Sequence, residues 1–312
     1  MVLYRLDDPE GRRRWEALQA TRASPFAHPV VLEALGQLFD RPIEVVEVEE
    51  DEARGTAAVA LMVRRQGPWR LATHPPLLPE SPLICTISGN EAALPGRLLT
   101  ALARRYARVD LHLPPEWLDV RPALWRGWHA HPLYTYEIDL AQTSPAHWSE
   151  NPRRLFRKAA SSYRLIEEAA LAPVLAHLVA ASYRRHRRRP PAPAHRIAAL
   201  LKTLAPTGLI RLFGAQDATG QVDAAVALMV QPPHAWYWLA GSRPGPAMTV
   251  LLGYLWSLLR EEGFRWFDFV GANTPSIAEF KRRFNPKLQL YFRLTYDRSF
   301  LQTLLRHVPG LR

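Results

Sequence analysis

The 312-residue chain is long for one hydrophobic core and long enough for two domains, and its 48% hydrophobic and 22% charged residues are typical of a globular protein. The single cysteine, Cys85, excludes an internal disulfide and a cysteine-based zinc site, and the lack of any run of about 18 apolar residues argues against a membrane span. The net charge is +11, but residues 1–150 carry 16 basic and 20 acidic side chains, whereas residues 151–312 carry 24 and 9.

The spacing of apolar residues in the first half predicts both helices and strands. Helices are expected at 11–21, 29–39 and 94–106. Strands are expected at 43–50, 57–64, 69–73, 108–113 and 134–140. Four prolines within residues 74–82 predict a loop there.

The second half repeats this mixture. Helices are expected at 152–161, 171–185, 197–204, 248–262, 275–284 and 300–307. Strands are expected at 163–168, 209–215, 222–230, 235–240, 264–270 and 288–296. The helix at 248–262 has a continuous apolar stripe and ends at Gly263.

The basic surplus of the second half is expected if that half contacts a polyanion. Candidate partners are tRNA or another RNA, acyl-CoA, a nucleotide-linked precursor, a phosphopantetheine carrier protein, or an anionic membrane surface contacted transiently. The alternative is compositional, since 36 of the 40 basic residues are arginine, as a GC-rich genome would favour. The first ten residues lack the features of a signal peptide, so the expected location is the cytoplasm.

The order of elements in the second half resembles the GNAT acyltransferase fold, and three short motifs sharpen that resemblance. A strand reading YWLAGS at 237–242 precedes the long helix, FDFVG follows at 267–271, and FKRRF follows at 280–284. This series is similar to the FemABX peptidyltransferases and the related BioF-like GNAT proteins. RRLFRKA at 153–159 and SPFAHP at 24–29 are similar to further elements of those proteins.

The resemblance implies an α/β fold (α+β mixed sheets) of tandem GNAT-like domains, each a central mixed β-sheet flanked by helices. The domains are expected at 1–140 and 141–312, with the acyl-transfer cleft in the second. Members move an amino acid from aminoacyl-tRNA, or an acyl group from a thioester, to an amine. The resemblance therefore implies an acyl- or aminoacyltransferase that works by direct attack in a ternary complex. It implies no tightly bound cofactor and no metal, with acyl-CoA or aminoacyl-tRNA as co-substrate.

One motif departs from the pattern of the members that bind coenzyme A. Those members hold the pyrophosphate with backbone amides of a glycine-rich loop at a helix start. The corresponding residues here are RPGPA at 243–247, and Pro244 and Pro246 have no amide hydrogen. This departure favours a donor other than acetyl-CoA.

Lys281 and Asp268 are the expected catalytic residues. Lys281 lies one position beside the apolar stripe of its helix, where its cation could bind a phosphate or stabilise a developing oxyanion. The alternative is a surface lysine. Asp268 interrupts an apolar strand, and a buried carboxylate is costly unless it is paired. It could orient substrate, accept the amine proton, or pair with an arginine or a backbone amide.

Two further groups of residues are expected to bind substrate. Tyr237, Trp238, Arg243, Asn273 and Phe280 lie in or beside the resembling motifs, although the aromatic residues could be core and Asn273 a turn residue. Clustered cations suit phosphate or RNA, with solvated surface as the alternative. These are Arg153, Arg154, Arg157 and Lys158 on one helix, and Arg187 and Arg188 in a basic loop.

A non-catalytic GNAT-like module that binds RNA or another anionic partner is the alternative function. An enzyme is expected to have an open cleft between the strands 235–240 and 264–270, with Lys281 or Asp268 in its wall. A binding module is expected to have that cleft filled by side chains.

Overall fold

The computed structural model describes residues 1–21, 23–50, 55–86 and 94–298. The predicted helix at 300–307 lies outside these residues. Two compact units are present: one comprises Met1–Leu133 and the described residues from Leu290 onward, and the other comprises Tyr134–Gln289. The assignment of tandem GNAT-like domains to 1–140 and 141–312 stays a prediction.

Nine α-helices lie within the described residues. They are α1 (Pro9–Thr21), α2 (Pro29–Phe39), α3 (Gly96–Arg105), α4 (Arg121–Leu124), α5 (Glu150–Ala159), α6 (Ala172–Arg185), α7 (Ala194–Leu204), α8 (Ala247–Glu261) and α9 (Pro275–Arg282). Local chemistry sets several of their ends. Pro29 begins α2, where its missing N–H costs nothing, and Asp40 ends it in a left-handed conformation.

Thirteen strands lie within the same residues. They are β1 (Val2–Arg5), β2 (Ile43–Glu50), β3 (Gly55–Gln66), β4 (Trp69–Thr73), β5 (Leu83–Cys85), β6 (Arg108–His112), β7 (His129–Asp139), β8 (Tyr163–Glu167), β9 (Ile210–Asp217), β10 (Val222–Gln231), β11 (His234–Ser242), β12 (Trp266–Asp268) and β13 (Lys287–Asp297). The sequence patterns did not predict β1, β5 or α4, which have three or four residues each and are too short to show a period.

The first unit contains a sheet in the order β1-β2-β3-β4-β6 followed by residues 293–297 of β13, and β5 pairs with β3. The pair β4–β6 is parallel and the other pairs are antiparallel. Its core contains Leu61, Tyr106 and Trp117. The buried Tyr106 hydroxyl donates a hydrogen bond to Glu44 at 2.9 Å.

The second unit contains a sheet in the order β7-β12-β11-β10-β9-β8, in which residues 137–139 of β7 pair with β12. Only the pair β11–β12 is parallel among its described pairs. Trp256 of α8 packs edge-to-face on Phe267, Phe269 and Phe284, which places aromatic rings at the centre of the core. The predicted fold class, a mixed α/β fold with a central mixed sheet flanked by helices, is confirmed.

The strand predicted at 264–270 is shorter in the structure, where β12 comprises only Trp266–Asp268. The carboxylate of Asp268 accepts a hydrogen bond from the Val270 amide at 2.5 Å, which turns the chain out of the sheet. Val270 and Gly271 then have positive φ angles of 56° and 84°. The sequence prediction was wrong here because the apolar pattern continues through the turn.

Candidate active site

A seam opens between the two parallel strands of the second unit. Three residue pairs join β11 to β12: His234 with Trp266, Ala235 with Phe267, and Trp236 with Asp268. Beyond Asp268 the chain leaves the sheet, whereas β11 continues to Ser242. The pairing of β11 with β10 also shifts register beside Trp238, and such bulges re-aim side chains near active sites.

A cavity of about 550 Å³ occupies this seam, a volume within the range of small-molecule sites. One wall is the stretch of β11 from Tyr237 to Ser242, and the facing wall contains Phe269 and Val270. The end of α6, the start of α8 and the buried side of α9 complete the lining. The seam is therefore open rather than filled by side chains.

The arch 269–271, which comes directly after β12, is held by two polar side chains. The buried Thr135 hydroxyl donates to Asp268 Oδ1 at 2.7 Å and accepts a hydrogen bond from the Gly271 amide at 3.0 Å. A β-branched residue at positive φ is rare and strained, so these bonds hold Val270 in a conformation that its side chain disfavours. The arch thus turns its carbonyl oxygens toward α9.

Lys281 of α9 binds those carbonyls. Its side chain is 5% exposed, and its Nζ donates to the carbonyl oxygens of Phe269 at 2.6 Å and Gly271 at 2.7 Å, with a longer contact of 3.3 Å to Val270. The ammonium also lies 5.8 Å from the centre of the Tyr237 ring. Lys281 is therefore a fixed cation in the cavity wall, with two short hydrogen bonds and one weak one.

Burial lowers the pKa of Lys281 to about 8, because removal from water penalises the charged form, and the nearby Asp268 carboxylate opposes this shift. The pKa of Asp268 is raised by its own burial, against the lowering effects of Thr135, the Val270 amide and Lys281. The pair therefore combines a carboxyl group whose pKa is raised with an ammonium group whose pKa is lowered to about 8.

Of the other predicted substrate-binding residues, Tyr237, Trp238, Arg243 and Phe280 line the cavity. The Tyr237 hydroxyl donates to Met248 Sδ at 3.1 Å, and burial raises its pKa, so it is a neutral part of the wall. The Arg243 side chain is 58% exposed and lies 3.4 Å from Asp223 Oδ1.

Other predicted residues do not line the cavity. Asp268 lies behind its wall, in contact with the arch. Asn273 forms two hydrogen bonds with the backbone of Tyr134, at 2.8 and 3.1 Å, and so acts as a strand-like connection to β7. The four cations of α5, Arg153, Arg154, Arg157 and Lys158, are all exposed on a helix that packs through Phe156 against α8.

The basic loop that the sequence indicated at 184–189 reaches the cavity through two of its residues. Arg185 and His186 line the cavity, while Arg187 and Arg188 come immediately after them and are exposed. The His186 ring lies 3.4 Å from the Ser276 hydroxyl. Thr249, 4% exposed, also lines the cavity and is a polar interruption in the apolar sequence of α8. Its polar side chain at an otherwise apolar stretch of α8 is the sequence signal that could have identified Thr249 as a site residue.

Despite the prolines beside it, the start of α8 retains backbone N–H groups that can donate hydrogen bonds to a ligand. The Val250 amide bonds the Pro246 carbonyl at 3.0 Å, so the amides of Ala247, Met248 and Thr249 lie in the first turn, where helices leave N–H groups without helical partners. Met248 and Thr249 line the cavity. The two prolines remove donors upstream of this turn but not within it.

Within the described residues there is no cluster of three or more His, Cys, Asp or Glu side chains arranged to hold a metal ion. Among the same residues, no helix has the length and apolar character needed to cross a bilayer.

Comparison with known proteins relates this architecture to acyltransferases. Residues 149–282 match the family described as an acetyltransferase (GNAT) domain. No curated protein sequence matches the chain significantly. Among solved structures, L-PGS from Bacillus licheniformis is similar with a TM-score of 0.60 and 13% identity, over 96% of this chain and 95% of that one.

Two further structures share the fold. FemX has a TM-score of 0.60 and 11% identity, over 89% of this chain and 93% of that one. The C-terminal domain of a putative lysylphosphatidylglycerol synthetase from Agrobacterium fabrum has a TM-score of 0.55 and 15% identity, over 94% and 93%. The predicted resemblance to the FemABX and GNAT acyltransferase superfamily is confirmed by the family match together with this shared fold.

Proposed function

We propose that the protein transfers an acyl or aminoacyl group from an activated ester or thioester to an amine, within the open seam between β11 and β12. The observation that carries the proposal is the cavity in that seam with the buried Lys281 ammonium in its wall. An extended donor arm fits between these strands, because β12 ends at Asp268 while β11 continues to Ser242 beside the cavity.

The chemistry needs no covalent enzyme intermediate. The amine nitrogen attacks the donor carbonyl, a C–N bond forms, and the negative charge on the carbonyl oxygen is stabilised before the thiolate or alkoxide leaves. The Lys281 hydrogen that makes only the 3.3 Å contact to Val270 is the one available to that oxygen. Its two short bonds keep the ammonium in place during the step.

The attacking amine must lose a proton, and the leaving group must gain one. His186 is the best-placed acceptor, because its ring lies at the cavity wall and near Ser276. Asp268 is better suited to positioning, since its Oδ1 already accepts hydrogen bonds from Thr135 and Val270. It maintains the arch that presents carbonyls to Lys281.

The donor is acyl-CoA or aminoacyl-tRNA. The backbone amides in the first turn of α8 suit a phosphate of either acyl-CoA or tRNA. Because Pro244 and Pro246 have no amide hydrogen to bind a pyrophosphate, aminoacyl-tRNA is the favoured acyl donor. By its name, a lysylphosphatidylglycerol synthetase forms an aminoacyl lipid, which also supports an aminoacyl donor here. The exposed cations of α5 and of the basic loop suit the RNA backbone.

A screen of donors tests this proposal. Melting temperature is measured with acetyl-CoA, longer acyl-CoAs and aminoacylated tRNA, and any donor that stabilises the protein is then assayed for transfer of its labelled acyl group to amines. We expect a donor to raise the melting temperature and to react. Binding of tRNA with no transfer to any amine would favour the second candidate, a non-catalytic module that binds RNA or another anion through the exposed cations of α5.

A further inference from the structure

Thr135 of β7 lies behind the cavity wall and does not line the cavity. Its side chain is 4% exposed, and its hydroxyl has one hydrogen to donate and two lone pairs. The hydrogen is donated to Asp268 Oδ1 at 2.7 Å, and one lone pair accepts the Gly271 amide at 3.0 Å. Thr135 is therefore bonded both to the arch 269–271 and to the residue that precedes the arch.

Three consecutive peptide groups of the arch share one orientation. A planar trans peptide group directs its N–H and its C=O to opposite sides. The three N–H groups are bound on the side of β7 and Asp268, in the pairs Val270 with Asp268 Oδ1 at 2.5 Å, Gly271 with Thr135 Oγ1 at 3.0 Å, and Ala272 with the Tyr134 carbonyl oxygen at 2.6 Å. These bonds direct the carbonyl groups of the same three peptide groups the other way.

The three carbonyl groups face Lys281. The two outer ones, of Phe269 and Gly271, accept short bonds from Nζ at 2.6 and 2.7 Å, whereas the middle one, of Val270, lies 3.3 Å away. The middle peptide group is the one whose N–H is bound by Thr135. A closer approach of the Val270 carbonyl would occupy the third hydrogen of the ammonium, which would then be lost to the substrate oxygen.

The backbone of β7 supplies the bonds on either side of this position but not the middle one. The Tyr136 carbonyl accepts the Phe269 amide at 2.8 Å, and the Tyr134 carbonyl accepts the Ala272 amide. Backbone groups of successive strand residues point to opposite edges of the strand, so the Thr135 carbonyl faces away from the arch. The Thr135 hydroxyl therefore takes the place of a ladder bond at the left-handed residue of the arch.

We infer that Thr135 is a positioning residue for acyl transfer, whose hydroxyl holds the peptide group between Val270 and Gly271 so that the third hydrogen of Lys281 stays available to the donor's carbonyl oxygen. This inference rests on the proposed function, because it concerns the hydrogen that stabilises the oxyanion. A valine at position 135 has the same shape but leaves the Gly271 N–H without its acceptor. The middle peptide group is then free to tilt and to bind that hydrogen through its own carbonyl.

The kinetics of three variants test the inference, with the donor and amine found by screening. We expect kcat of Thr135→Val to fall about 10- to 100-fold while KM for the donor stays within about twofold, because Thr135 does not contact the donor. Thr135→Ser keeps the hydroxyl and should stay within about threefold of the unaltered protein. Thr207→Val is the matched control, since the Thr207 hydroxyl also donates once, to the Leu204 carbonyl, and accepts once, from the Leu209 amide, away from the cavity. An equal loss in Thr207→Val, or a loss confined to KM, would overturn the inference.

A second measurement needs no reaction. The chain contains four lysines, and the three other than Lys281 are exposed, so NMR of protein labelled with ¹⁵N-lysine has internal references in Lys158, Lys202 and Lys287. The spectra are recorded well below the pKa of Lys281, where its ammonium is protonated. We expect the Lys281 signal to shift in Thr135→Val, because a carbonyl partner of the ammonium moves, and to keep its position in Thr135→Ser and Thr207→Val. An unmoved Lys281 signal in Thr135→Val would contradict the inference.

The two measurements separate this inference from the proposed function. A shifted Lys281 signal in Thr135→Val, together with no acyl transfer to any amine by the unaltered protein, contradicts the proposed function and supports the placement of Lys281 by Thr135. Transfer at the same rate in the unaltered protein and in Thr135→Val contradicts the inference and leaves the proposed function in place. Melting temperatures check folding, and Thr135→Ala, with the same expected results, replaces Thr135→Val if that variant does not fold.

Discussion

Among the residues that the structure describes, each unit contains one parallel strand pair, and the two pairs end differently. In the first unit the ladder of β4 and β6 continues beyond Thr73, where the His74 amide donates to the Asp110 carbonyl at 2.8 Å. The rings of His74 and His112 then stack with their centres 3.9 Å apart. In the second unit β12 ends at Asp268, and a cavity lies beyond it.

This comparison shows how similar strand pairing supports a site in one place and packing in another. Stacked rings occupy the ends of the first pair, and burial lowers the pKa of both histidines, so the neutral stack is favoured. At the corresponding end of the second pair lie the strained arch 269–271 and the buried Lys281, and the cavity between the strands stays open. The chemical difference between the units therefore lies in the residues at the carboxyl ends of the two parallel pairs.

The largest expected effect is a fall in the rate of acyl transfer in the Lys281→Met variant. The variant keeps an unbranched chain of similar length but removes the cation, so we expect the rate of acyl transfer to fall about 100- to 1000-fold, as for loss of one oxyanion donor. Single-turnover transfer with the donor found by screening measures this. Lys202→Met, at an exposed lysine of α7, and His112→Phe, which keeps a ring in the first unit, should each remain within twofold. An equal loss in His112→Phe would contradict the distinction between the units.

The next effect is a pH dependence of stability that Lys281 alone should produce. Its pKa is about 8 in the folded state against 10.5 in the unfolded state, so between these values the unfolded chain binds more protons. The free energy of unfolding should therefore rise with pH over this window, by up to about 3 kcal/mol relative to Lys281→Met. Denaturant titrations of both proteins between pH 7.5 and 10.5 measure the difference. Parallel pH profiles would show that the lysine is not held in a low-dielectric site.

A third prediction concerns the close approach of α6 to β11. A Cβ atom at Gly241 would lie 2.3 Å from the backbone carbon of Leu178, so Gly241→Ala must push the helix and strand apart. We expect a loss of about 2–3 kcal/mol in the free energy of unfolding. The matched control is Gly96→Ala in the first unit, where the three atoms nearest to the new methyl all belong to the exposed Arg126 side chain, which can move. Similar losses in the two variants would contradict this account.

The smallest expected effect is on acid stability of the first unit. The folded-state pKa values of His74 and His112 are lowered, so the unfolded chain binds more protons as the pH falls through about 6.5. The free energy of unfolding should therefore decrease below that pH, and less so in a His74→Phe/His112→Phe variant. Groups that face the pair include Asp110, which raises the pKa of His112, and Arg293, which lowers both. Equal acid sensitivity of the variant would show that other groups dominate.

The main elements could be predicted from the sequence, since their apolar periods are long and clear. The position of Lys281 beside the apolar stripe of α9 could also be predicted from the sequence. The three carbonyl partners of that lysine could not be predicted, because they depend on a left-handed Val270, and valine after an apolar strand favours continuation of the strand. Similarly, His74 and His112 meet only through parallel pairing of strands that are distant in sequence.

The basic residues show a different limit. The run at 184–189 contains five arginines and α5 contains four basic residues, and composition alone cannot show which group lies at a site. The structure separates them, because Arg185 and His186 reach the cavity while the α5 cations lie on an exposed helix face. A function for either group depends on this placement rather than on charge alone.

The central claim is that the donor occupies the open seam of the second unit, and filling the seam tests it most directly. Ala240 lines the cavity on β11, so Ala240→Phe should occupy the space with little change to the ladder. The measurement is the rise in melting temperature caused by a saturating donor, such as acyl-CoA or aminoacylated tRNA, in the unaltered protein and in this variant. We predict a clear rise in the first and none in the second. An equal rise in both would contradict the claim that the donor binds between β11 and β12.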